Sequence, residues 1–278
     1  MTDISVIVVN YNGESILRNC LDSLFNSVLK RIKMEVIVVD NNSTDESISI
    51  LKEYKNKIKL IKNKENKGFA QANNQVISES NGTYIFMLNN DTILYQDTLE
   101  TLFKSVQKIP NLGAAAPKLL NEDLTLQSPG SILGAWRFRS KKMVTLPFIC
   151  GAAILMKKQT FIDIGMFDEN LFFYNDDIDL CKKLKQKKLK ILYVPESKLI
   201  HIGGVSTKTA PVESIIEGYR GGLYICNFYY PKIIYNLYRI ILILILLPKW
   251  GYYSIKSINN QNNKKEKELY SNIINISI

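Results

Sequence analysis

The sequence predicts an α/β fold with a mostly parallel central sheet flanked by helices and a helical extension at its carboxyl end. Three observations carry this prediction. Short β-branched runs alternate with helical patterns over the first third of the chain, the pattern of successive βαβ units. The runs are continuously apolar, as strands covered on both faces must be. Polar clusters begin where each run stops, and in an open parallel sheet those positions share one edge, where ligands bind.

The first strand is "ISVIVV" (4–9), and a helix is expected from about Glu14 to Val28. "MEVIVV" (34–39) follows, then a helix from about Asp45 to Tyr54 whose start, "STDE" (43–46), has the spacing of a capping box. "IKLI" (58–61), a helix around Phe69 to Ser80, and "YIFML" (84–88) complete the alternation. From about Gly113 the connections lengthen. A loop at 128–142 carrying Trp136, Arg137 and Arg139 leads to an apolar strand, "LPFICGAAILM" (146–156). A short helix, a strand "KILYVP" (190–195) and "KLIHIGG" (198–204) come next, and the chain reads as helix after Ile215. A main domain over 1–230 and an appended segment over 231–278 are the expected divisions.

The chain of 278 residues is 46% hydrophobic and 22% charged, enough for one large globular domain with an appendage and unlike a disordered chain. A net charge of +10, from 36 Lys and Arg against 26 Asp and Glu, favours anionic ligands, but lysine-rich composition gives it little weight. Cys20, Cys150, Cys181 and Cys226 lie far apart with no CxxC pair, so they read as reduced thiols, without a zinc site. "MTDISVIVV" lacks a basic segment leading into an apolar one, and a cytoplasmic location is expected. Neither GxGxxG after a strand nor GxxxxGK[ST] occurs, which argues against a dinucleotide dehydrogenase and a P-loop enzyme.

The polar tips are "NYNG" (10–13), "DNNSTD" (40–45), "NKGFAQANN" (66–74) and "NND" (89–91). Asp91 alone would read as a turn former. With Asp40 closing a neighbouring strand and one histidine, His201, further along, it reads instead as a group placed to hold a divalent cation against nucleotide phosphates.

"VIVVNYNG", "VIVVDNNSTD", "NKGFAQANN", "FMLNNDT", "FICGAAILMKK", "GMFDENLFFYNDDIDLCKKL" and "VPESKLIHIGG", in this order, resemble glycosyltransferase family 2, inverting enzymes of the GT-A (nucleotide-diphospho-sugar transferase) fold. The resemblance covers roughly residues 3–230 and is nearest the rhamnosyltransferase-like branch. It implies an inverting transferase that moves a sugar, rhamnose on this likeness, from a dTDP- or UDP-sugar to a glycan or polyprenyl-linked acceptor in cell-surface polysaccharide synthesis.

The site residues follow from the same resemblance. The acidic triplet at the fourth strand maps to Asn89, Asn90 and Asp91, so the usual DxD is reduced here to a single carboxylate. Asp91 and His201 are the implied ligands of Mg2+ or Mn2+. "YNDDIDL" supplies Asp177 as the implied base and Asp176 in the position of the more common Glu, with Asp179 following. Crowded carboxylates raise one another's pKa, and helix-dipole complementation is the simpler account of their position. Asn10, Tyr11, Asn12, Asp40 and Asn42 are expected at the nucleotide, with Asp40 accepting from the imide of a uracil or thymine. Asn66, Gly68, Phe69 and Asn73 are expected along it, and Gly151 and Ala152, small residues on a strand, beside the sugar. No QxxRW follows the carboxylates, which favours single addition over processive synthesis. The helix after "NDDIDL" also lacks the glycine often found near its end, where this chain reads "LKQKKL" (184–189).

The apolar run 233–247 is shorter than the ~20 residues a spanning helix needs and meets Pro248. Flanking Lys232, Lys249, Trp250, Tyr252, Tyr253 and Lys256 favour an interfacial helix on an anionic leaflet, peripheral on the inner face of the cell membrane, with a packing helix or a homodimer contact as the alternative. The tail "NNQNNKKEKE" (259–268) is expected to be solvated and mobile, and no nucleic-acid partner is expected. The competing functions are a nucleotidyltransferase, which would carry a Gly-rich basic loop where this chain has "NYNGES", and an inactive glycan-binding relative.

Overall fold

The computed structural model describes residues 2–127, 135–203, 212–257 and 261–278. The first part of the expected loop (128–134), Gly204, Asn259 and Asn260 lie outside the described residues.

Two compact units are present: residues 1–169 with 176–207, and residues 170–175 with 208–278. The first unit is a mixed, mostly parallel α/β sheet domain. Its elements begin β1 (Thr2–Asn10), α1 (Leu17–Phe25), β2 (Met34–Asp40), α2 (Ser47–Glu53), β3 (Lys59–Lys62), α3 (Gly68–Asn74) and β4 (Gly82–Asn89). They continue β5 (Thr92–Leu94), α4 (Thr98–Val106), β6 (Leu112–Leu120), β7 (Val144–Thr145), β8 (Ala153–Lys157), α5 (Lys158–Asp163), α6 (Asp176–Gln186) and β9 (Lys190–His201).

The strand order is β3-β2-β1-β4-β8-β6-β9-β5, with β7 also on β9. β1, β2, β3 and β4 pair in parallel, whereas β8 is antiparallel to both β4 and β6. Alternation along β1 explains the two layers. Ile4, Val6 and Val8 face Leu17, Leu21, Leu24, Leu51 and Leu102 on one side, and Ile7 faces Ala70, Ala72, Phe161 and Leu180 on the other. Both layers are dry, so the apolar runs are accounted for by burial on two faces.

Four local expectations are corrected. The strand expected over 146–156 starts only at Ala153, because Pro147 has no N–H to give a ladder and the Gly151 N–H is committed to a carboxylate. The small residues Gly151 and Ala152 therefore lie in a turn before the strand, not on it. The capping box at 43–46 does not form. Ser43 Oγ accepts from Asn12 N at 2.9 Å, and the Ser47 N–H goes to Asp45 Oδ1 at 3.0 Å. The segments expected separately at 190–195 and from 198 onward are joined in one strand, β9, which ends at His201 and whose register on β6 shifts between Pro117 and Lys118. α6 ends without glycine: Lys188 takes φ +56° and Leu189 N bonds Leu184 O at 3.0 Å, so a lysine occupies the left-handed cap position.

The second unit is helical: α7 (Val212–Tyr229), α8 (Lys232–Lys256) and α9 (Gln261–Ser277). Leu223, Leu242, Leu246, Leu269 and Ile273 form its core. Two expectations fail here. α8 does not stop at Pro248 but runs 25 residues through it, because an exposed proline removes one backbone bond that the flanking turns tolerate. From Gln261 the tail is helix, not mobile coil, because Leu269 and Ile273 supply an apolar stripe that packs on α8.

Candidate active site

The parallel register brings the polar tips together. Asn10 lies opposite Asp40 and Val9 opposite Asn89, so three strand ends meet at one edge. Asn10 Nδ2 donates to Asp40 Oδ1 and to Ser43 Oγ, each at 3.2 Å, and Asn90 Nδ2 donates to Asn10 Oδ1 at 2.8 Å. Asp40 Oδ2 accepts from Ser43 N at 3.0 Å. Gly13 is required at this junction. A Cβ there would stand 2.3 Å from Asn10 Oδ1 and 2.5 Å from Asn90 Nδ2.

Asn41, absent from the sequence reading, is the brace of the next loop. It is buried, and its Oδ1 accepts from Asn63 Nδ2 (2.9 Å) and Lys67 N (3.0 Å). Its Nδ2 donates to Asn66 Oδ1 (2.7 Å) and Gly68 O (3.2 Å). All four hydrogen-bonding capacities of one amide are thus filled, and the segment 63–68 is fixed to the end of β2. Gly68 has φ +75°, a conformation that glycine adopts without strain. Of the other expected nucleotide contacts, Tyr11, Asn12 and Asn42 are exposed at the tips, and Phe69 is half-buried against Phe167. Asn73 is different: it is buried and donates to Phe69 O in its own helix.

Asp91 and His201 are clamped by backbone, with Ile202 N donating to Asp91 O at 2.9 Å and Thr92 opposite His201 in the β5–β9 ladder. His201 Nε2 lies 3.2 Å from Asp91 Oδ1, and that buried carboxylate oxygen receives no hydrogen bond. An oxygen and an imidazole nitrogen this close, with no donor between them, suit a divalent cation. Among the described residues no set of three His, Cys, Asp or Glu converges, so Asp91 and His201 form a pair of candidate donors without a third of these types beside them.

Asp176 and Asp177 open α6. Burial pushes both carboxyls up, Asp176 to about 8 with Asp177 and Asp179 adding, and Asp177 to about 6 against the Gly151 N–H that favours its ionised form. Gly151 N donates to Asp177 Oδ2 at 3.0 Å, and Asn89 N donates to Ala152 O at 2.9 Å. Two consecutive residues therefore tie the α6 carboxylates to the end of β4. The Cys150 thiol beside them is pushed up to about 12 by burial, and Asp177, Asp176 and Asp91 all add to the effect.

The sequence profile of Glycosyl transferase family 2 matches residues 5–165, more than half of the chain. Among curated proteins, the chain is similar to glycosyltransferase GlyA of Streptococcus pneumoniae, at 39% identity over 106 residues, covering 37% of this chain and 15% of that protein. It is also similar to the poly-beta-1,6-N-acetyl-D-glucosamine synthase of Staphylococcus aureus, at 26% identity over 201 residues, covering 69% of this chain and 48% of that protein. The chain thus spans less than half the length of these relatives. Among solved structures, S. aureus TarS 1-349 in complex with UDP has a TM-score of 0.61 at 20% identity, covering 84% of this chain and 69% of that one. GalNAc-T7 with UDP, GalNAc and Mn2+ has a TM-score of 0.64 at 16% identity, covering 98% and 55%. These neighbours share the GT-A fold. The sheet order, the polar rim along its edge and the profile match lead to one conclusion: the chain belongs to glycosyl transferase family 2.

Proposed function

We propose that this chain is an inverting glycosyltransferase that moves a sugar from a UDP- or dTDP-linked donor to a glycan or polyprenyl-linked acceptor in cell-surface polysaccharide synthesis. The observation that carries it is the pair of bonds from Gly151 and Asn89, which sets Asp177 beside the strand end that bears Asp91. UDP in the two structural neighbours supports a pyrimidine nucleotide, and rhamnose remains the sugar suggested by the motif likeness.

In this reading Asp40 accepts from the imide N–H of the base, and the segment braced by Asn41 lies along the nucleotide. Asn89 and Asn90 border the diphosphate, and the turn at Gly151 and Ala152 borders the sugar. Asp91 and His201 would hold Mg2+ or Mn2+, which stabilises the negative charge of the departing diphosphate when bound. Asp177 is the base because it is partly exposed, whereas Asp176 is buried. One Asp177 oxygen is occupied by Gly151 N–H, and the other takes the acceptor hydroxyl proton. The acceptor oxygen bonds to the anomeric carbon from the face opposite the diphosphate, whose C–O bond breaks with the electron pair leaving on the diphosphate.

A panel of nucleotide sugars should raise the melting temperature only for UDP- or dTDP-linked members, and EDTA should reduce that rise. Stabilisation by GDP-sugars alone would remove the base assignment; indifference to EDTA would remove the metal.

The helical unit supports a location on the cytoplasmic face of the membrane. Ile233, Leu237, Ile240, Leu244 and Ile255 of α8 are exposed along one stripe, and the helix carries Lys232, Arg239, Lys249 and Lys256 with no carboxylate. α8 is also long and apolar enough by composition to cross a bilayer. A cation-flanked apolar stripe fits an anionic leaflet better than a second copy of itself, which would bring like charges together. The full chain should float with phosphatidylglycerol vesicles and not with neutral ones. A soluble dimer that ignores both would reverse this assignment.

A further inference from the structure

We infer that Gln127 is a positioning residue that fixes the tautomer of His201 and so leaves a bare ring nitrogen facing Asp91. The inference deepens the cation site proposed above and rests on that reading for the identity of what binds there.

The argument is one of donors and acceptors. Gln127 Nε2 donates to His201 O at 3.0 Å and to Asn121 Oδ1 at 3.1 Å. The first partner is a backbone carbonyl, which can only accept, so the amide cannot flip without setting oxygen against oxygen. Gln127 Oε1 therefore faces His201 Nδ1, at 2.6 Å, and Nδ1 must carry the hydrogen. In the neutral ring Nε2 is then a lone pair, 3.2 Å from Asp91 Oδ1, which itself receives no hydrogen bond. Two acceptors held face to face repel unless a positive charge joins them.

The backbone holds this arrangement on every side. Gln127 N donates to Leu119 O at 3.0 Å, and β9 fixes His201. Gly203, at φ +61°, makes room: a Cβ on it would stand 3.2 Å from Gln127 Nε2. Partners that orient a ligating imidazole in this way typically alter metal affinity by about 10- to 100-fold when removed.

His201 is the only histidine, so ring-nitrogen NMR of 15N-labelled, metal-free protein reads it without assignment. At alkaline pH the wild type should show a pyrrole-type Nδ1 and a pyridine-type Nε2. Gln127→Met, close to glutamine in volume and without an acceptor oxygen, should lose that preference and bind Mn2+ about 10- to 100-fold more weakly by titration calorimetry, at a melting temperature confirming that it folds. A wild-type ring protonated on Nε2 overturns the inference, as does equal Mn2+ affinity in the two proteins or no Mn2+ binding by either. Transferase activity persisting in that last case leaves the reading of function standing.

Discussion

Asp177→Asn is expected to lower sugar transfer by about 10²- to 10⁴-fold, the range a positioned general base supplies, while donor binding stays at the wild-type level. Asparagine keeps the shape of the side chain and its oxygen still accepts from Gly151 N, so the turn that ties α6 to β4 is preserved. What disappears is the second carboxylate oxygen, the proposed proton acceptor. Initial rates with saturating donor, set beside donor-induced shifts in melting temperature, separate the two effects. Full turnover in this variant would remove Asp177 from the reaction. A loss of donor binding that matched the loss of rate would make it a structural residue.

Asp176→Asn should make the protein more stable, and increasingly so as pH rises. The folded carboxyl titrates near 8 because it is buried beside Asp177, whereas an unfolded aspartate titrates near 3.8. The sign is therefore fixed: the folded state retains a proton that the unfolded chain gives up. Its stabilising contribution is complete below about pH 4 and is lost as pH rises toward 8. Above that, the wild type holds a charge in a site that disfavours it. An amide is neutral throughout, so the variant should melt well above the wild type at pH 9 and close to it at pH 4. Asp176 is still protonated where Asp177 titrates, so the acid limb of the pH–rate profile should stay in place in this variant. Melting curves across pH 4 to 9 test the first statement; an equal offset at both ends would show that Asp176 does not carry a displaced titration.

The sheet and its polar edge were legible because the signal is periodic and local. Continuous apolar strands are fixed by burial on two faces, and "NYNG", "DNNSTD" and "NND" stand where those strands must end. The misses share a physical cause. Asn41 was passed over between Asp40 and Asn42 because nothing in its own segment shows that its amide closes four bonds to residues 63–68. Gln127 lies 74 positions from His201 and meets it only through the sheet. Asn41 lies inside the "DNNSTD" cluster without standing out from its neighbours, and Gln127 lies in no motif. A buried polar side chain at a strand end is the one available signal, and it does not name its partner. Ser43 failed as a helix cap for the same reason: its hydroxyl was claimed by Asn12, from another strand end. The amphipathic pattern from Gln261 to Ser277 was masked by the run of lysines and asparagines at its start.

The antiparallel strand β8 has an architectural consequence. Its register on β4, with Leu88 opposite Ala153, fixes where Asp176 and Asp177 stand relative to the strand end at Asn89. That interval is set by the β4–β8 ladder together with the turn at Gly151 and Ala152 that leads into it. Segments beyond that turn can change in length or character without moving this frame.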